Sequence, residues 1–159
     1  MDRTLRRLAV LSLAAGLAAR AAASDVVLQT WHPWQLDSVL VAWALTQARS
    51  PAPAFESITR GAPIAAERGI DTPDSPYRRT GQRTAFEEAV RLNHVNHPCV
   101  HRLRDAVRVV ELAAWRKPEF PAVEEFEARV LKVIPARPMR GGLDAALAEV
   151  DRYCREGRP

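Results

Sequence analysis

Twelve prolines divide the 159-residue chain into short segments, and this spacing limits the length of every helix or strand. Proline lacks a backbone N–H and disrupts helix interiors, so regular elements must begin and end between prolines. Within most segments, apolar residues recur at helical spacing. We therefore expect a mainly α fold, a compact bundle of about five or six short helices with at most a small two-stranded β element.

The apolar pattern also predicts where the individual elements lie. We expect helices over 35–49, 84–92, 98–115, 121–134 and 143–155, and a brief helix over 62–68. Extended segments are expected at 55–58 and 77–80. At the start of the second helix, Glu87 follows Thr84 by three residues, which is the spacing of a capping box. The sequence thus predicts both the elements and one of their caps.

Residues 1–23 have the pattern of a secretory signal peptide. The basic segment "MDRTLRR" precedes the apolar run "LAVLSLAAGLAA", and the small residues "AAAS" follow. A run of twelve residues is shorter than the roughly 20 needed to span a bilayer. We expect cleavage after Ala23, leaving 24–159 as a single domain without stable membrane insertion. Its expected location is the periplasm or the exterior of the cell.

Much of the excess positive charge lies in that first segment. It holds four of the 23 basic residues and one of the 19 acidic residues, so 24–159 has 19 basic against 18 acidic residues. Nonspecific nucleic-acid binding depends on clustered positive charge. We therefore expect no nucleic-acid partner.

The two cysteines have alternative interpretations. Export would expose Cys99 and Cys154 to an oxidising compartment, where a disulfide is stable. Cys154 continues an apolar helical face, and Cys99 lies at the start of another helix. The alternatives are a Cys99–Cys154 disulfide and two buried free thiols.

Three of the four histidines lie in the segment "LNHVNHPCVH". His97 and His101 are four residues apart and can share one helical face, and His94 can join them from the loop. Imidazole is a common ligand of transition metals, so these three residues are a candidate metal site. In the alternative interpretation they are polar residues around a helix start, since Pro98 suits the first helical position.

A second candidate site lies in the segment "YRRTGQR". Arg79 and Arg83 flank Gly81 just before a predicted helix, whose N-terminal N–H groups favour anions. Guanidinium groups match the oxygens of tetrahedral oxyanions such as chromate and sulfate. Arg79, Gly81 and Arg83 therefore form a candidate oxyanion site, and the alternative is a solvated basic turn.

Two tryptophans lie close together in the segment "TWHPWQLD". Trp31 and Trp34 can form an aromatic wall for a ligand. We favour the alternative that they attach the N-terminal segment to the core.

Recognised catalytic motifs are absent from the sequence. We find no G-x-S-x-G, H-E-x-x-H or C-x-x-C pattern. The carboxylates of Asp71, Asp74, Glu87 and Glu88 are expected to be solvated. The sequence identifies no cofactor and favours a binding protein over an enzyme.

Three segments resemble the C-terminal domain of the ChrB family of chromate-resistance proteins. They are "DSVLVAWALTQARSPAPAFESI", "AAERGIDTPDSPYRRTGQRTAFEEAV" and "HPCVHRLRDAVRVVE". The resemblance covers about residues 37–111 and rests on the order and spacing of a set of shared residues: Asp37, Trp43, Phe55, Gly69, Asp74, Pro76, Gly81, Phe86, Glu87, Pro98, Arg102, Leu103, Val107 and Arg108.

Two departures limit what the resemblance implies. Family members usually carry a histidine just before the glycine that matches Gly81 and often a cysteine before the "FE" helix, where this chain has Arg79 and Thr84. Chemistry that depends on those groups does not transfer to this chain. The family's gene-regulatory role does not suit an exported domain.

From the resemblance and the charged segments together, we expect an exported domain associated with chromate resistance. It would bind an oxyanion or a protein partner without catalysis. The alternatives are a periplasmic metal-binding protein that uses the histidines, and an interaction module without a small ligand.

Overall fold

The N-terminal part of the protein is a β–α–β unit, as seen in a computed structural model that describes residues 26–157. Strands β1 (Val27–Trp31) and β2 (Ala54–Ile58) pair in parallel, and helix α1 (Leu36–Ala48) connects them. Parallel strands need such a crossover because the end of the first strand and the start of the second lie at opposite ends of the sheet. The predicted helix over 35–49 and the extended segment at 55–58 are both found.

The sequence analysis missed strand β1. Leu28 and Thr30 are buried and alternate with half-buried neighbours, as in a strand with one covered face. The pattern is only five residues long, and one buried position is polar. Its partner strand lies 27 residues away in the register that aligns Gln29 with Glu56, and local periodicity does not reveal such a pairing.

Both outer edges of this small sheet are covered by loop segments. Gly69 forms a parallel bridge with Gln29, and the Ile70 N–H donates to the Gln29 carbonyl at 2.8 Å. On the other side, Arg140 forms an antiparallel bridge with Glu56. Part of the backbone at each outer edge of the sheet is therefore already paired.

Helices make up most of the remaining structure, which confirms the mainly α prediction with a small two-stranded β element. The further α-helices are α2 (Ala85–Leu92), α3 (Val100–Leu112), α4 (Pro121–Lys132) and α5 (Asp144–Glu156). Short 3-10 helices lie at Ala66–Arg68 and Ala114–Glu119. The helix predicted over 62–68 is thus reduced to one turn, and the strand predicted at 77–80 to a single bridge between Ile70 and Tyr77.

Helix α1 lies at the centre of the helical layer and packs against all four other α-helices. Every residue from Leu36 to Leu45 is buried, so its apolar surface extends around the whole helix. The other helices bury one stripe each, such as Leu103 and Val107 on α3. Val133 follows the last residue of α4, Lys132, and is 37 % exposed.

Cys99 and Cys154 form a disulfide, which settles the question between bridge and free thiols. The bond joins the residue before α3 to the last turn of α5. These ends are 55 residues apart in sequence, so the bond closes a long loop of the unfolded chain.

The predicted capping box at α2 is present. The Glu87 N–H donates to Thr84 Oγ1 at 3.2 Å, and the Thr84 N–H donates to Glu87 Oε2 at 2.9 Å. We expect Thr84→Ala to lower the free energy of unfolding by about 1 kcal/mol, because one N-terminal donor loses its acceptor. Urea denaturation measures the loss.

Thr84→Ser is the matched control, since it keeps the hydroxyl and should retain most of that stability. Equal destabilisation by both substitutions would assign the effect to the lost methyl group instead.

Residues 1–23, where the secretory signal is expected, lie outside the described residues. Within 26–157, no helix has the length and apolar character needed to cross a membrane.

Candidate functional site

The N-terminus of α2 is already occupied by a side chain of the protein, the carboxyl group of Asp37. Asp37 lies in the first turn of α1 and is fully buried. Its two carboxylate oxygens accept hydrogen bonds from the N–H groups of Ala85 and Phe86, each at 2.8 Å. A helix N-terminus favours negative charge because its first N–H groups have no partner inside the helix. Asp37 therefore fixes α2 against α1.

A short hydrogen-bonded loop positions Asp71 near this helix junction. The Asp71 N–H donates to the Tyr77 carbonyl at 2.8 Å, and the Ser75 hydroxyl donates to the Gly69 carbonyl at 2.5 Å. Asp71 adopts φ of 51°, in the left-handed region that Asp tolerates better than most residues. An added Cβ at position 69 would collide with the Thr72 hydroxyl and crowd Ser75 Cβ, so a larger residue there would have to displace these side chains.

Arg79 connects Asp71 to helix α3. Its guanidinium donates to Asp71 Oδ2 at 2.6 Å, to Gln35 Oε1 at 3.1 Å, and to Glu111 on α3. The Asp71 and Glu111 side chains are each only 10 % exposed. Two carboxylates therefore share one arginine, and the positive charge of Arg79 is compensated within the protein.

The shared arginine leaves this group of carboxylates with excess negative charge. Burial raises the pKa of Asp37 to about 7, and the nearby charges of Asp71 and Glu111 add to the effect. Burial likewise raises the pKa of Glu111, with Arg79 opposing part of the shift. Although burial alone would lower the pKa of Arg79, its bond to Asp71 and the charge of Glu111 raise it overall. The arginine stays charged, while Asp37 titrates near neutral pH.

Next to this network lies an open cleft of about 500 Å³, which we call the arginine cleft because Arg60, Arg78 and Arg79 line it. Asp71 is the one carboxylate in its lining. Within residues 26–157, neither Arg60 nor Arg78 forms an ion pair; Arg78 donates to the Pro73 carbonyl at 3.1 Å. These two arginines therefore contribute positive charge to the cleft without a direct ion-pair partner among the described residues.

Hydroxyl groups and aromatic rings complete the arginine cleft. The polar part of its lining includes Thr30, Ser38 and Thr72, and one wall is formed by Trp31 and His32. The Trp31 indole donates to the Ala62 carbonyl at 2.8 Å, which fixes the ring at the rim. By contrast, Trp34 is buried in the core at 4 % exposure. Trp31 therefore lines a cleft, whereas Trp34 anchors the N-terminal segment to the core.

A second cleft of about 590 Å³ adjoins the arginine cleft. It shares His32, Gln35 and Arg79 with the arginine cleft, and its far side is more apolar, with Leu131 and Ile134. Arg79 and the segment before α1 therefore separate two distinct environments.

The predicted oxyanion site at Arg79, Gly81 and Arg83 needs correction in its geometry. Arg83 donates to Glu88 Oε1 at 2.7 Å, whereas Arg79 bonds Asp71 and Glu111. The two guanidinium groups are thus committed to different carboxylates. The N–H groups that were expected to hold an external anion instead bond Asp37 and Thr84. Of the three residues, only Arg79 lines the arginine cleft.

The three histidines of the predicted metal site do not form a ligand group. His97 Nδ1 accepts a hydrogen bond from the Cys99 N–H at 3.2 Å, and its ring packs edge-on against Trp43. His94 and His101 are exposed. No cluster of three or more histidine, cysteine or acidic side chains suited to a metal occurs within the part of the chain that the structure describes. His97 therefore matches the alternative interpretation, a residue at a helix start.

Sequence reasoning missed Arg60 and the buried position of Asp71. Arg60 is separated from Arg78 by 18 positions, and only the loop around Gly69 brings the two segments to one cleft. Glu87 and Glu88 were likewise expected to be solvated, yet their side chains are 12 % and 11 % exposed. The sequence feature that pointed to this region was the density of basic residues in "YRRTGQR". It identified Arg79 but not its partners Asp71 and Glu111.

Comparison with protein-family models, curated proteins and solved structures found no match to this chain.

Proposed function

We propose that this protein is an exported, ChrB-like domain that binds a small tetrahedral oxyanion, such as chromate, in the arginine cleft. The observation that carries the proposal is the pair Arg60 and Arg78, which line the cleft without a carboxylate partner among residues 26–157. Guanidinium groups bind such anions through short charge-assisted hydrogen bonds.

The surroundings of these arginines support the same chemistry. The hydroxyl groups of Thr30, Ser38 and Thr72 are donors of the kind that satisfy the remaining oxygens of a bound anion. The cleft is larger than one dehydrated oxyanion needs, so the anion can enter with part of its hydration shell. Arg79 serves as a fixed wall because Asp71 and Glu111 hold it.

Two further observations support export and the link to chromate. The disulfide between Cys99 and Cys154 is stable in an oxidising compartment, and the expected signal peptide would deliver the protein to such a compartment. The resemblance to ChrB proteins includes Asp37 and Phe86, which are hydrogen-bonded at the junction of α1 and α2, and Gly69, which precedes the loop residue Asp71.

The test is anion binding by isothermal titration calorimetry at constant ionic strength, with chloride as the reference anion. We expect chromate or phosphate to bind at millimolar concentration or below. Arg60→Gln and Arg78→Gln should each weaken binding about tenfold or more, because each removes a charge-assisted hydrogen bond.

Arg155→Gln is the matched control, since Arg155 is an exposed arginine on α5 outside both clefts and its loss should leave the affinity unchanged. The proposal is wrong if no oxyanion binds more tightly than chloride, or if all three variants bind alike.

A protein partner is the second candidate function. Trp115 favours it, since this large apolar residue is 79 % exposed. Oxyanion binding is preferred because the arginine cleft specifies the chemistry of its ligand, whereas nothing in the structure specifies what covers Trp115.

A further inference from the structure

The lining of the arginine cleft contains one residue that an indiscriminate anion site would not have. Asp71 places a carboxylate beside Arg60, Arg78 and Arg79. A carboxylate repels every anion, and it repels a dianion most. Asp71 therefore either weakens anion binding in general or makes the cleft selective for one kind of anion.

Part of the role of Asp71 is structural, because it holds Arg79. This role does not use all of its hydrogen-bonding capacity. An ionised carboxylate offers about four acceptor positions. Arg79 Nη2 lies 2.6 Å from Oδ2, whereas Arg79 Nε contacts Oδ1 only at 3.4 Å. Oδ1 therefore has capacity for a stronger donor.

Asp71 is also held in place. Its own N–H donates to the Tyr77 carbonyl, and the preceding Ile70 N–H donates to Gln29 on β1. Both contacts fix the backbone of the loop, and the ion pair with Arg79 holds the carboxylate itself in place. A bound anion must present either a donor or a lone pair to this fixed acceptor.

We propose that the arginine cleft selects oxyanions that keep a proton near neutral pH, such as phosphate, arsenate and hydrogenchromate, and discriminates against sulfate. The hydroxyl of the bound anion donates to Asp71 while its other oxygens accept from the arginines. Sulfate has no proton to donate at this pH, so one of its oxygens would face the carboxylate directly. A site built around a hydrogen bond rejects an analogue that cannot form it. This inference rests on the proposed oxyanion function.

The first arm of the test is calorimetry of the full wild-type protein with sodium phosphate and sodium sulfate at pH 7 and constant ionic strength. We expect phosphate to bind about 100-fold more tightly than sulfate, or more. Equal affinities would overturn the inference while leaving the oxyanion function intact. If neither anion binds more tightly than chloride, both proposals fail.

The second arm uses Asp71→Asn, which replaces the acceptor by an amide that can donate to sulfate. We expect phosphate to bind more weakly and sulfate more tightly, so that their ratio falls to within about tenfold. Asp74→Asn is the matched control, because Asp74 is an exposed carboxylate on the same loop outside the cleft lining. It should keep the wild-type ratio. Wild-type discrimination in Asp71→Asn would overturn the inference.

A third arm needs no variant and therefore does not depend on whether Asp71→Asn folds. Hydrogenchromate loses its proton just below neutral pH, whereas monohydrogen phosphate keeps its proton up to pH 8 and beyond. We expect the affinity for chromate to fall relative to that for phosphate between pH 6 and pH 8.

The ionisable and charged groups around Asp71 are Asp37 from α1, Glu111 from α3, and Arg79, together with Arg60, Arg78 and His32 in the cleft lining. Their charges act on both anions alike, so the ratio of affinities isolates the proton on the anion. A ratio that does not change with pH would overturn the inference.

Discussion

Replacing both cysteines by serine is expected to lower the free energy of unfolding by about 4 kcal/mol, because the disulfide closes a long loop of the unfolded chain. Cys99 and Cys154 are separated by 55 residues, and the segment between them includes α3, α4 and most of α5. Without the bond, the unfolded chain gains the freedom of that whole segment. Equilibrium denaturation in urea of the oxidised wild type and of the double variant measures the difference.

The reduced wild-type protein is the control for this experiment. Reduction removes the bond without changing the side chains from sulfur to oxygen, so it should reproduce most of the loss. If reduced and oxidised wild type unfold at the same urea concentration, the bond does not stabilise this fold.

The second large effect concerns Asp37 and its dependence on pH. The pKa of Asp37 rises from 3.8 to about 7 in the folded protein, mainly because the group is buried. Between these two pH values the folded state therefore binds a proton that the unfolded state releases. The free energy of unfolding should fall as the pH rises through this window, by up to about 4 kcal/mol from this group alone.

Asp37→Asn removes this contribution, since the amide does not titrate. The variant also places an N–H₂ group against Ala85 or Phe86, which adds a constant loss of about 1–3 kcal/mol at every pH. The measured quantity is the unfolding free energy of the wild type minus that of the variant, determined once at pH 4.5 and once at pH 8. We expect this quantity to be smaller at pH 8, because only the wild type loses the contribution of Asp37.

Taking the difference also removes the contributions of other shifted carboxylates. Glu111 has a raised pKa and changes stability in the same direction, whereas the pKa of Glu88 is lowered, chiefly by its bond to Arg83, and acts in the opposite direction. Both are present in both proteins. A difference that is constant across the pH range would show that Asp37 stays ionised in the fold.

The local elements of this fold could be predicted because local physics determines them. The capping box at Thr84 and Glu87 is encoded within four residues, and the apolar stripe of α3 repeats at helical spacing. Strand β1 could not be found in this way, since its pairing with β2 depends on the crossover through α1. The burial of α1 on all sides likewise follows from what surrounds it.

The candidate site was less predictable for the same reason. The expectation of an anion before α2 was physically sound, but the group found there is the carboxyl of Asp37, 48 residues upstream of Ala85. Charge patterns indicate that a partner is needed without identifying it. The arginine cleft requires the loop at Gly69 to place Asp71 near Arg79, and only the folded chain brings these residues together.

The covered edges of the sheet limit how this protein can associate with others. A strand with an open edge is a template on which another chain, or another copy, can add a strand. Here Gly69 bridges to one strand and Arg140 to the other. Addition of a further strand would have to displace these segments, so self-association through the sheet is disfavoured. Within residues 26–157, the helices and loops are the surfaces that remain open to a partner.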